Sequence, residues 1–568
     1  MGLYLLDYGA GNVQSLANSL SKLGYQFNWI TEPAHFQRAT SLVFPGVGAF
    51  GTAVENLKAK SLFEPLKQYI QSGKPYFGIC IGMQILFQTS TESPEAPGLD
   101  IIPCPVERFR DNDKTVPHMG WNTADSLYSS VEPFCYYFVH SYCAKYDPSK
   151  YPIAADWAHT TTQYGDEIFI SSVSKDNVFA VQCHPEKSGA AGLELLQEWL
   201  LSPESRRAAP TSSSTIPPPI LTPKSKHCLS KRIIACMDVR ANDEGDLVVT
   251  KGDQYDVREK VVPTSPSSTS TAVKTAGAVR NLGKPVALAS AYYTSGADEL
   301  CLLNITSFRH SPLQDQPMLA VVRAAAECVF VPLTIGGGIK DTVDPDGTPR
   351  SALEVASAYF RAGADKVSIG SEAVYAVEKL LASERDSGDG TSAIETIARA
   401  YGNQAVVVSI DPKRVYVDAE TYDGPFKGEM VHGKSDSAIE SERGKSWYYT
   451  CTTSGGRETR NLSVCQLARE VEKLGAGEIL VNSIDRDGTG LGFDLDLINL
   501  IRGCVRVPVV ASSGAGKVEH FSTVFEETDV EAALAAGIFH RGEVGISQVK
   551  DCLRSRGINV RLGKSYFV

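Results

Sequence analysis

Short apolar runs alternate with longer amphipathic segments along most of this 568-residue chain. In the N-terminal part the apolar runs are LYLLD, SLVFPG, YFGIC and VFAVQCH, and segments with helical periodicity separate them. Apolar runs of about four to eight residues between helical segments are typical of buried parallel strands. The pattern therefore predicts an α/β sheet domain at the N-terminus.

The C-terminal part repeats its own strand pattern. IIACMDV matches VVVSIDP, GADELCLLNI matches GAGEILVNSI, and VPLTIGGG matches VPVVASSG, at a nearly constant spacing of about 175 residues. Further strands of the same type are indicated at DKVSIGS and EAALAAGIF. Eight such strands, each followed by helical sequence, predict a (β/α)8 TIM barrel built from two half-barrel repeats. Its chemistry is expected at the carboxyl ends of the strands.

A change in composition separates the two parts. Residues Pro203 to Lys226 are rich in Pro, Ser and Thr and have no apolar periodicity, as expected of an extended linker. We therefore predict an α/β domain over 1–202, a linker over 203–228 and a barrel domain over 229–568. A second Ser/Thr-rich stretch, from Pro263 to Thr275, is interpreted as a loop insertion.

Charge and cysteine content exclude several functional classes. The formal net charge is −11, which argues against a nucleic-acid-binding surface. No apolar run is long enough for a signal peptide or a membrane span, so we expect a cytoplasmic protein without membrane contact. The 13 cysteines are scattered without CxxC spacing, which indicates neither a disulfide framework nor a metal site, and no bound cofactor is expected.

Cys80 is the strongest candidate for a nucleophile. It lies in GICIG, after an apolar strand and before the run MQILFQ, which we predict to be helical. A nucleophile on a sharp strand-to-helix turn has small neighbours, and the helix N-terminus that follows favours the thiolate. A buried cysteine is more often core filler, but this context favours a catalytic role for Cys80.

A base and an oxyanion site accompany it. His184-Pro185-Glu186 directly follows the strand VFAVQC, and Pro185 should hold the chain extended so that His184 and Glu186 point to the same side. His184 would then take the proton of Cys80 while Glu186 fixes the tautomer of the imidazole. The turn PGVGAFG offers backbone N–H groups for an oxyanion, which involves Gly46, Val47 and Gly48.

The barrel carries a pair of aspartates at equivalent places. Asp238 and Asp411 close the first and fifth predicted strands, which lie on opposite sides of a barrel mouth, and are candidates for a general acid and base. Small and polar residues near other strand ends offer two phosphate cradles, one per half-barrel. The first contains Gly336, Gly337, Gly338, Gly370 and Ser371, and the second contains Asp487, Gly488, Thr489, Ser512, Ser513, Gly514, Ala536 and Gly537.

Four charged residues should gather at the opposite end of the barrel. Each of Arg232, Glu299, Lys366 and Glu478 precedes an apolar strand, and their charges alternate along the chain. A ring of mutually satisfied charges at the barrel floor is expected, and by itself it has a sufficient structural explanation.

The N-terminal motifs GICIGMQ, PGVGAFG and HPEKS resemble the triad-type glutamine amidotransferases over residues 1 to about 200. The resemblance implies hydrolysis of L-glutamine through a thioester on Cys80, with Gln84 helping to hold the substrate. The segments PHMGWN and FVHSY narrow the match to the type that serves imidazole glycerol phosphate synthases. The resemblance also implies that His140, Ser141 and Tyr142 contact glutamine.

The barrel motifs LSKRIIACMDV, GGGIKD, GADKVSIGS, VVVSIDPKRV, GAGEILVNSIDRDGTG, ASSGAGK and FHRGE resemble the cyclase of the same family, so the chain is similar to its fused fungal and plant members. The resemblance implies that ammonia and phosphoribulosyl-formimino-AICAR-phosphate (PRFAR) give imidazole glycerol phosphate and AICAR. It also implies that Asp238 and Asp411 are the acid/base residues, that Lys251 contacts phosphate from a lid, and that the charged ring gates ammonia passing between the docked domains.

The chain departs from the family at Asn304, where many bacterial barrels have Asp, and at Ser513, which replaces a glycine. Two other hypotheses stay open at this point. One is a related barrel isomerase of histidine synthesis, although an isomerase needs no nitrogen donor and so leaves the Cys80 domain unexplained. The other is a non-catalytic binding or regulatory protein that retains both folds.

Overall fold

A computed structural model of the chain describes residues 2–562 except 10, 47, 129–132, 202–218, 225–228, 242–246, 251–283, 306–316, 345, 384, 436 and 438. Most of the predicted linker, the Ser/Thr-rich insertion and Lys251 therefore lie outside the described residues. Within the described residues, no helix is both long and apolar enough to cross a membrane.

The N-terminal domain is built on an eight-stranded sheet with the order β2-β1-β3-β4-β13-β12-β11-β8. Its four central apolar runs are four-residue strands that are buried along their whole length, as a sheet covered on both faces requires. The strands are β1 (Leu3–Leu6), β2 (Asn28–Ile30), β3 (Ser41–Phe44), β4 (Tyr76–Ile79), β8 (Asp125–Ser126), β11 (Ala158–Tyr164), β12 (Glu167–Lys175) and β13 (Val178–Val181).

Two smaller sheets and seven helices complete this domain among the described residues. The smaller sheets contain β5 (Phe87–Ser90), β6 (Ile102–Arg108) and β10 (Tyr142–Ala144), and the pair β7 (His118–Thr123) and β9 (Cys135–His140). The helices are α1 (Val13–Lys22), α2 (His35–Arg38), α3 (Phe50–Ala59), α4 (Phe63–Gln71), α5 (Ile81–Gln84), α6 (Pro152–Trp157) and α7 (Gly189–Leu201).

The C-terminal domain is a closed parallel barrel. Its wall has the order β14-β16-β17-β20-β21-β26-β27-β28, and pairing of β14 with β28 closes it. The predicted TIM barrel is therefore confirmed. The wall strands are β14 (Arg232–Ala241), β16 (Glu299–Asn304), β17 (Leu333–Gly336), β20 (Lys366–Ile369), β21 (Val406–Ile410), β26 (Glu478–Asn482), β27 (Val509–Ser512) and β28 (Ala532–Ala535).

Helices surround the barrel, and their ends follow from local sequence. Ser351, Ser392 and Ser463 each form a capping box with the residue three positions later, which satisfies free backbone N–H groups. The helices are α8 (Pro285–Thr294), α9 (Pro317–Ala326), α10 (Ala352–Ala362), α11 (Ser371–Ala382), α12 (Ala393–Tyr401), α13 (Val464–Leu474), α14 (Leu495–Arg502), α15 (Val518–Glu527), α16 (Gly537–His540) and α17 (Ile546–Ser555).

Both half-barrels extend beyond the wall as antiparallel ribbons. β14 continues past Asp238 and pairs with β15 (Leu247–Thr250), while β22, directly after Asp411, pairs with β24. The prediction that Asp238 closes its strand is thus wrong, because the hairpin partner prolongs that strand to Ala241. The strands outside the wall that remain are β18 (Thr342–Val343), β19 (Pro349–Arg350), β22 (Pro412–Val417), β23 (Val431–His432), β24 (Ser446–Thr453) and β25 (Glu458–Ser463).

The N-terminal domain lies against the amino-terminal end of the barrel wall. Trp121 donates its indole N–H to the carbonyl of Asp298, directly before β16, and Thr115 donates to Glu531, directly before β28. Lys187 forms a buried ion pair with Asp365, directly before β20, at 2.8 Å. The docking surface is therefore the barrel floor, opposite the ends of the strands where Asp238 and Asp411 lie.

Candidate active sites

Cys80 occupies a strained turn at the end of β4. Its backbone angles are φ 49° and ψ −102°, and Ile81 begins the single-turn helix α5. The turn is closely packed, because a Cβ atom on Gly46 would overlap the carbonyl oxygen of Ile79, and one on Gly82 would approach the carbonyl oxygen of Phe44. The geometry of the predicted nucleophile turn is therefore present, and it accounts for the glycines around Cys80.

The helix predicted over MQILFQ is largely wrong. Helix α5 ends at Gln84, and Phe87 begins strand β5, which pairs with β6. Residues 85–87 are buried, and this apolar stretch is too short for its periodicity to distinguish a helix from a strand. The short helix nevertheless begins directly after Cys80, as predicted.

His184 and Glu186 form the expected pair. Nδ1 of His184 lies 2.8 Å from Oε1 of Glu186, and the imidazole hydrogen-bonds the thiol of Cys80. Burial disfavours the protonated imidazole, but the carboxylate of Glu186 and the sulfur of Cys80 outweigh it and raise the pKa of His184 well above its usual value. The three side chains can therefore hold a thiolate–imidazolium pair.

The local path of the chain differs from the predicted one. His184 is extended, but Pro185–Lys187 form a 3₁₀ turn, so Glu186 does not follow the alternation of an extended strand. The turn itself brings the carboxylate back to the imidazole. Hydrogen bonds from Ser188 and Lys187 to His184 close this turn.

A pocket surrounds Cys80 and is lined by both domains. From the N-terminal domain it contains the predicted residues that the structure describes except Glu186, which lies behind His184, and Val47 lies outside the described residues. From the barrel it contains five residues at the end of α12, after α10 or α12, or at the start of β20. The predicted lining residues are Gly46, Gly48, Cys80, Gln84, His140, Ser141, Tyr142 and His184, and the barrel residues are Asp365, Lys366, Tyr401, Gln404 and Ala405.

Gln84 and His140 are fixed by contacts within the N-terminal domain. Gln84 donates its amide hydrogens to the carbonyl of Tyr142 at 2.9 Å and to Oε1 of Gln182 at 3.0 Å. His140 lies 2.8 Å from the same carbonyl and 3.1 Å from His118, and burial lowers its pKa to about 3. His140 is thus neutral, and both side chains shape the pocket wall.

Sequence reasoning missed several residues of this pocket. Glu92 lines it and accepts the backbone N–H of Phe50 at 2.7 Å, and burial raises the pKa of its carboxyl group. Lys187 joins the wall through its ion pair with Asp365. No motif distinguishes Glu92 from other acidic loop residues, and the barrel residues could be found only once the docking was known.

The four charged residues of the barrel floor form a closed ring. Arg232 contacts Glu299 at 2.9 Å and Glu478 at 2.5 Å, and Lys366 contacts both carboxylates at 2.6 Å. All four are at most 2% exposed. Burial opposes ionisation of Glu478, but the two cations outweigh it and lower the pKa of Glu478. The predicted floor ring is therefore present as a set of mutual ion pairs, but it is not fully satisfied, because the buried Nε of Arg232 has no hydrogen-bond partner among the described residues. Lys366 also borders the Cys80 pocket.

Asp238 and Asp411 lie at the other end of the barrel. Asp238 lies on β14, the first wall strand, and Asp411 follows β21, the fifth, so they occupy opposite sides of the closed wall. Asp411 accepts a hydrogen bond from Asn482 at 3.0 Å. Burial, reinforced by the charge of Asp487, raises the pKa of Asp411 above its usual value. A carboxyl group of this kind is suited to proton transfer.

The predicted phosphate-binding residues that the structure describes lie at the carboxyl ends of wall strands or in the loops that follow them, and Lys251 lies outside the described residues. The first set follows β17 and β20, and the second follows β26, β27 and β28. Gly337 and Gly338 adopt φ of 88° and 80°, and Gly514 adopts 95°. Ser513 has the same left-handed backbone, with φ 72°, which explains why a glycine suits this position better. Asn304, the last residue of β16, hydrogen-bonds Tyr359.

Comparison with known proteins agrees with this division into two sites. Residues 4–202 match the family described as "Glutamine amidotransferase class-I", and residues 232–545 match "Histidine biosynthesis protein". The chain is 49% identical to "Imidazole glycerol phosphate synthase hisHF" of Emericella nidulans, with 98% of each chain covered. The protein of the same name from Schizosaccharomyces pombe is 47% identical, with 98% of this chain and 99% of the relative covered.

A plant relative is equally similar. "Imidazole glycerol phosphate synthase hisHF, chloroplastic" of Arabidopsis thaliana is 49% identical, with 98% of this chain and 89% of the relative covered. All three relatives thus span both the amidotransferase domain and the barrel. The chain belongs to the imidazole glycerol phosphate synthase family, in the bifunctional form that joins a glutamine amidotransferase domain and a cyclase domain in one polypeptide.

Proposed function

We propose that the chain hydrolyses L-glutamine at Cys80 and delivers the ammonia through the barrel floor to PRFAR, which is converted to imidazole glycerol phosphate and AICAR. One observation carries this proposal: the pocket of Cys80 is lined by Lys366, which also belongs to the charged ring at the barrel floor. Ammonia released beside Cys80 is thereby produced next to the barrel. The names of the three fused relatives support the same reaction.

In the first half-reaction the Cys80 thiolate attacks the side-chain amide carbon of glutamine. His184, protonated through its contact with Glu186, then donates a proton to the departing ammonia. The backbone N–H groups of the turn that contains Gly46 and Gly48 stabilise the oxyanion. Water, deprotonated by the now neutral His184, hydrolyses the thioester and releases glutamate.

The barrel interior offers ammonia a largely apolar route. Inside the wall, beyond the ring, a separate cluster of buried residues consists mainly of aliphatic side chains and two cysteines. Such a lining excludes charged species and admits neutral ammonia. The cluster contains Ile234, Cys236, Cys301, Val407, Leu480, Val510, Ala532 and Leu534.

In the second half-reaction Asp411 and Asp238 act as acid and base on opposite sides of the substrate. The raised pKa of Asp411 suits the general acid, and Asp238 on the opposite strand then serves as the base. The two sets of loops around Gly336 and Ser512 hold the two phosphates of PRFAR. Lys251, from the segment after β15, completes the substrate contacts.

The proposed domain boundaries are 1–202, 203–228 for the linker and 229–568. The two family matches, over 4–202 and 232–545, support them. We place the protein in the cytoplasm, since every cysteine that the structure describes is a free thiol. Subcellular fractionation tests this location, and a plastid signal would contradict it.

The deciding experiment measures release of AICAR from PRFAR, with either glutamine or an ammonium salt as the nitrogen donor. Activity with both donors is expected. Cys80→Ala should abolish turnover with glutamine and spare turnover with ammonium, because the thiol acts only on glutamine. Asp411→Asn should abolish both activities. The proposal would be contradicted if Cys80→Ala lost turnover with ammonium. It would also be contradicted if the wild type were inactive with glutamine or inactive with ammonium.

A further inference from the structure

A cluster of four buried charges lies behind the loop that follows β26, outside the sites described above. We call Arg414, Glu442, Arg486 and Asp494 the Arg414 clamp. Arg414 contacts Glu442 at 2.5 Å and Asp494 at 2.8 Å, and Arg486 contacts Glu442 at 2.5 Å. The clamp therefore contains two cations and two anions, joined in one chain of ion pairs.

The four side chains of the clamp are well buried for residues that lie outside the barrel wall. Its members are between 1% and 7% exposed. The guanidinium of Arg414 also lies 4.4 Å from the centre of the Trp447 ring, and Asp494 accepts further hydrogen bonds from Tyr449 and Ser483. Buried charges contribute little net stability compared with apolar groups, but their directional contacts fix geometry strongly. The Arg414 clamp is therefore better explained by a role in positioning the groups around it than by a contribution to stability.

The clamp holds the β26 loop at both ends. Arg486 lies directly before Asp487, Gly488 and Thr489, the predicted phosphate-binding residues, and Asp494 is the N-cap of α14. Between these two anchors the loop contains three glycines with positive φ, so its own backbone provides little stiffness. Backbone hydrogen bonds from Asp487 to Ser483 and from Thr489 to Arg486 shape the turn itself. The side-chain contacts of the two anchors then help to set the place of this turn against the rest of the barrel.

Glu442 comes from a different part of the barrel. It lies between β23 and β24, within the segment that leaves the wall after Asp411 and returns as β24. Through Glu442 and Arg414, the ribbon that begins beside the candidate acid Asp411 is joined to the loop of the second phosphate cradle. The backbone adds one more link, since Asp485 accepts the N–H of Arg414 at 2.8 Å.

We propose that Glu442 is a positioning residue for the cyclisation: through its ion pair with Arg486 it holds the loop carrying Asp487, Gly488 and Thr489 in the place where a substrate phosphate binds. This inference rests on the proposed function of the barrel. Glu442 itself touches neither substrate nor reacting atoms.

The test uses the full-length chain with an ammonium salt as nitrogen donor, so that the Cys80 site is bypassed. Glu442→Gln is expected to raise the KM for PRFAR about tenfold and to change kcat much less, because a displaced phosphate loop weakens binding of the substrate. Glu442→Asp, which keeps the charge, should recover part of the loss. Ser437→Ala is the matched control, since Ser437 contacts Oε2 of Glu442 whereas both arginines contact Oε1, and its KM should equal that of the wild type.

A second variant tests whether the increase in KM of Glu442→Gln results only from misfolding. Arg486→Gln removes only the link to the loop and leaves the contacts between Arg414, Glu442 and Asp494 in place. It loses one buried cation, so its unfolding midpoint should fall, but at a temperature where it stays folded it should show the same increase in KM. The positioning role is overturned if the wild type turns over PRFAR and both variants have its KM, or if kcat falls while KM stays constant. A wild type without turnover would instead refute the proposed function itself.

Discussion

At the scale of single residues, His184 shows how burial and charge compete. Its imidazole is 5% exposed, which favours the neutral form, yet Glu186 and Cys80 hold it protonated. His140, in the same pocket and equally buried, has no carboxylate beside it among the contacts described above and stays neutral, with a pKa of about 3. One pocket thus contains a histidine whose pKa is raised and another whose pKa is lowered, and the difference comes from Glu186 and Cys80 beside His184.

Replacing that carboxylate should disable glutamine hydrolysis selectively. Glu186→Gln removes the main contribution that raises the pKa of His184, so the imidazole becomes neutral at lower pH and loses its fixed orientation. We expect glutaminase turnover to fall about 100-fold or more. Assays with glutamine and with ammonium separate the effects, and an equal loss with both donors would contradict this role. Glu198→Gln, on helix α7, is the control.

Cys504 is predicted to be the more reactive of the half-buried thiols. The thiol of Cys465 and the guanidinium of Arg469, 3.7 Å away, lower the pKa of Cys504 to about 7, whereas burial raises the pKa of Cys328. Alkylation of Cys504 by iodoacetamide should therefore rise between about pH 6 and 8 and then level off, since only the thiolate reacts. Peptide mapping measures both rates.

Arg469→Gln provides the control for this thiol. It removes the nearby cation, so the pKa of Cys504 should increase and alkylation at neutral pH should slow, while the rate at Cys328 stays unchanged. Similar rates at Cys504 and Cys328 in the wild type would show that the environment of Cys504 does not activate it.

At the scale of secondary-structure elements, the start of helix α11 is an open candidate phosphate site. Gly370 is the N-cap of this 12-residue helix, and no described atom lies within 4 Å of the place where its Cβ would be. By contrast, a Cβ on Gly336 would collide with Leu303. The first turn of α11 therefore offers free backbone N–H groups and open space, as binding of a phosphate requires.

Gly370→Ala tests this end of the helix. The added methyl group meets no protein atom among the described residues. The backbone of Gly370, with φ −104° and ψ −102°, lies outside the regions that alanine prefers, so the unfolding midpoint should fall by a few degrees. The KM for PRFAR should rise several-fold, because the methyl group occupies space needed by a phosphate. Gly428→Ala, which is equally unobstructed but lies far along the chain in the ribbon after Asp411, should leave the KM unchanged.

Elements and residues that depend on short stretches of sequence could be predicted, and those that depend on docking could not. The turn at Cys80, the pair His184 and Glu186, and the repeated strands all follow from local spacing. The apolar stretch after Gln84 is too short for its periodicity to separate helix from strand, so the start of β5 is set by pairing with β6. Gln404 enters the Cys80 pocket only because a second domain docks there.

At the scale of the whole molecule, the two domains meet around a neutral ring of four charges. Each member of the ring has two partners, so the loss of one leaves charges that burial makes expensive. The ring lies between the Cys80 pocket and the barrel interior. Loss of a member of the ring is therefore expected to affect both the stability of the fold and the proposed passage of ammonia between the two sites.

Lys366→Met should reveal the effect on the fold. Glu299 and Glu478 would each keep Arg232 as their remaining cation of the ring, and the free energy of unfolding should fall by about 3–5 kcal/mol. Lys473→Met provides the matched control, because Lys473 pairs with Glu470 at the surface, where an ion pair contributes little. Chemical denaturation measures the difference, and equal stability of both variants would contradict the importance of the ring.

Because the N-terminal domain docks on the barrel floor, glutamine would bind at the interface between the two domains. Because barrel residues such as Tyr401 and Gln404 complete the pocket of Cys80, the amino acid can be fully enclosed only while the domains are together. Binding and docking are then one linked equilibrium, and saturating glutamine at about 100 times its Kd would favour the closed arrangement by about 2.7 kcal/mol. When glutamine is scarce, the two domains would separate more often at their interface. The resistance of the protein to proteolysis would then depend on the glutamine concentration.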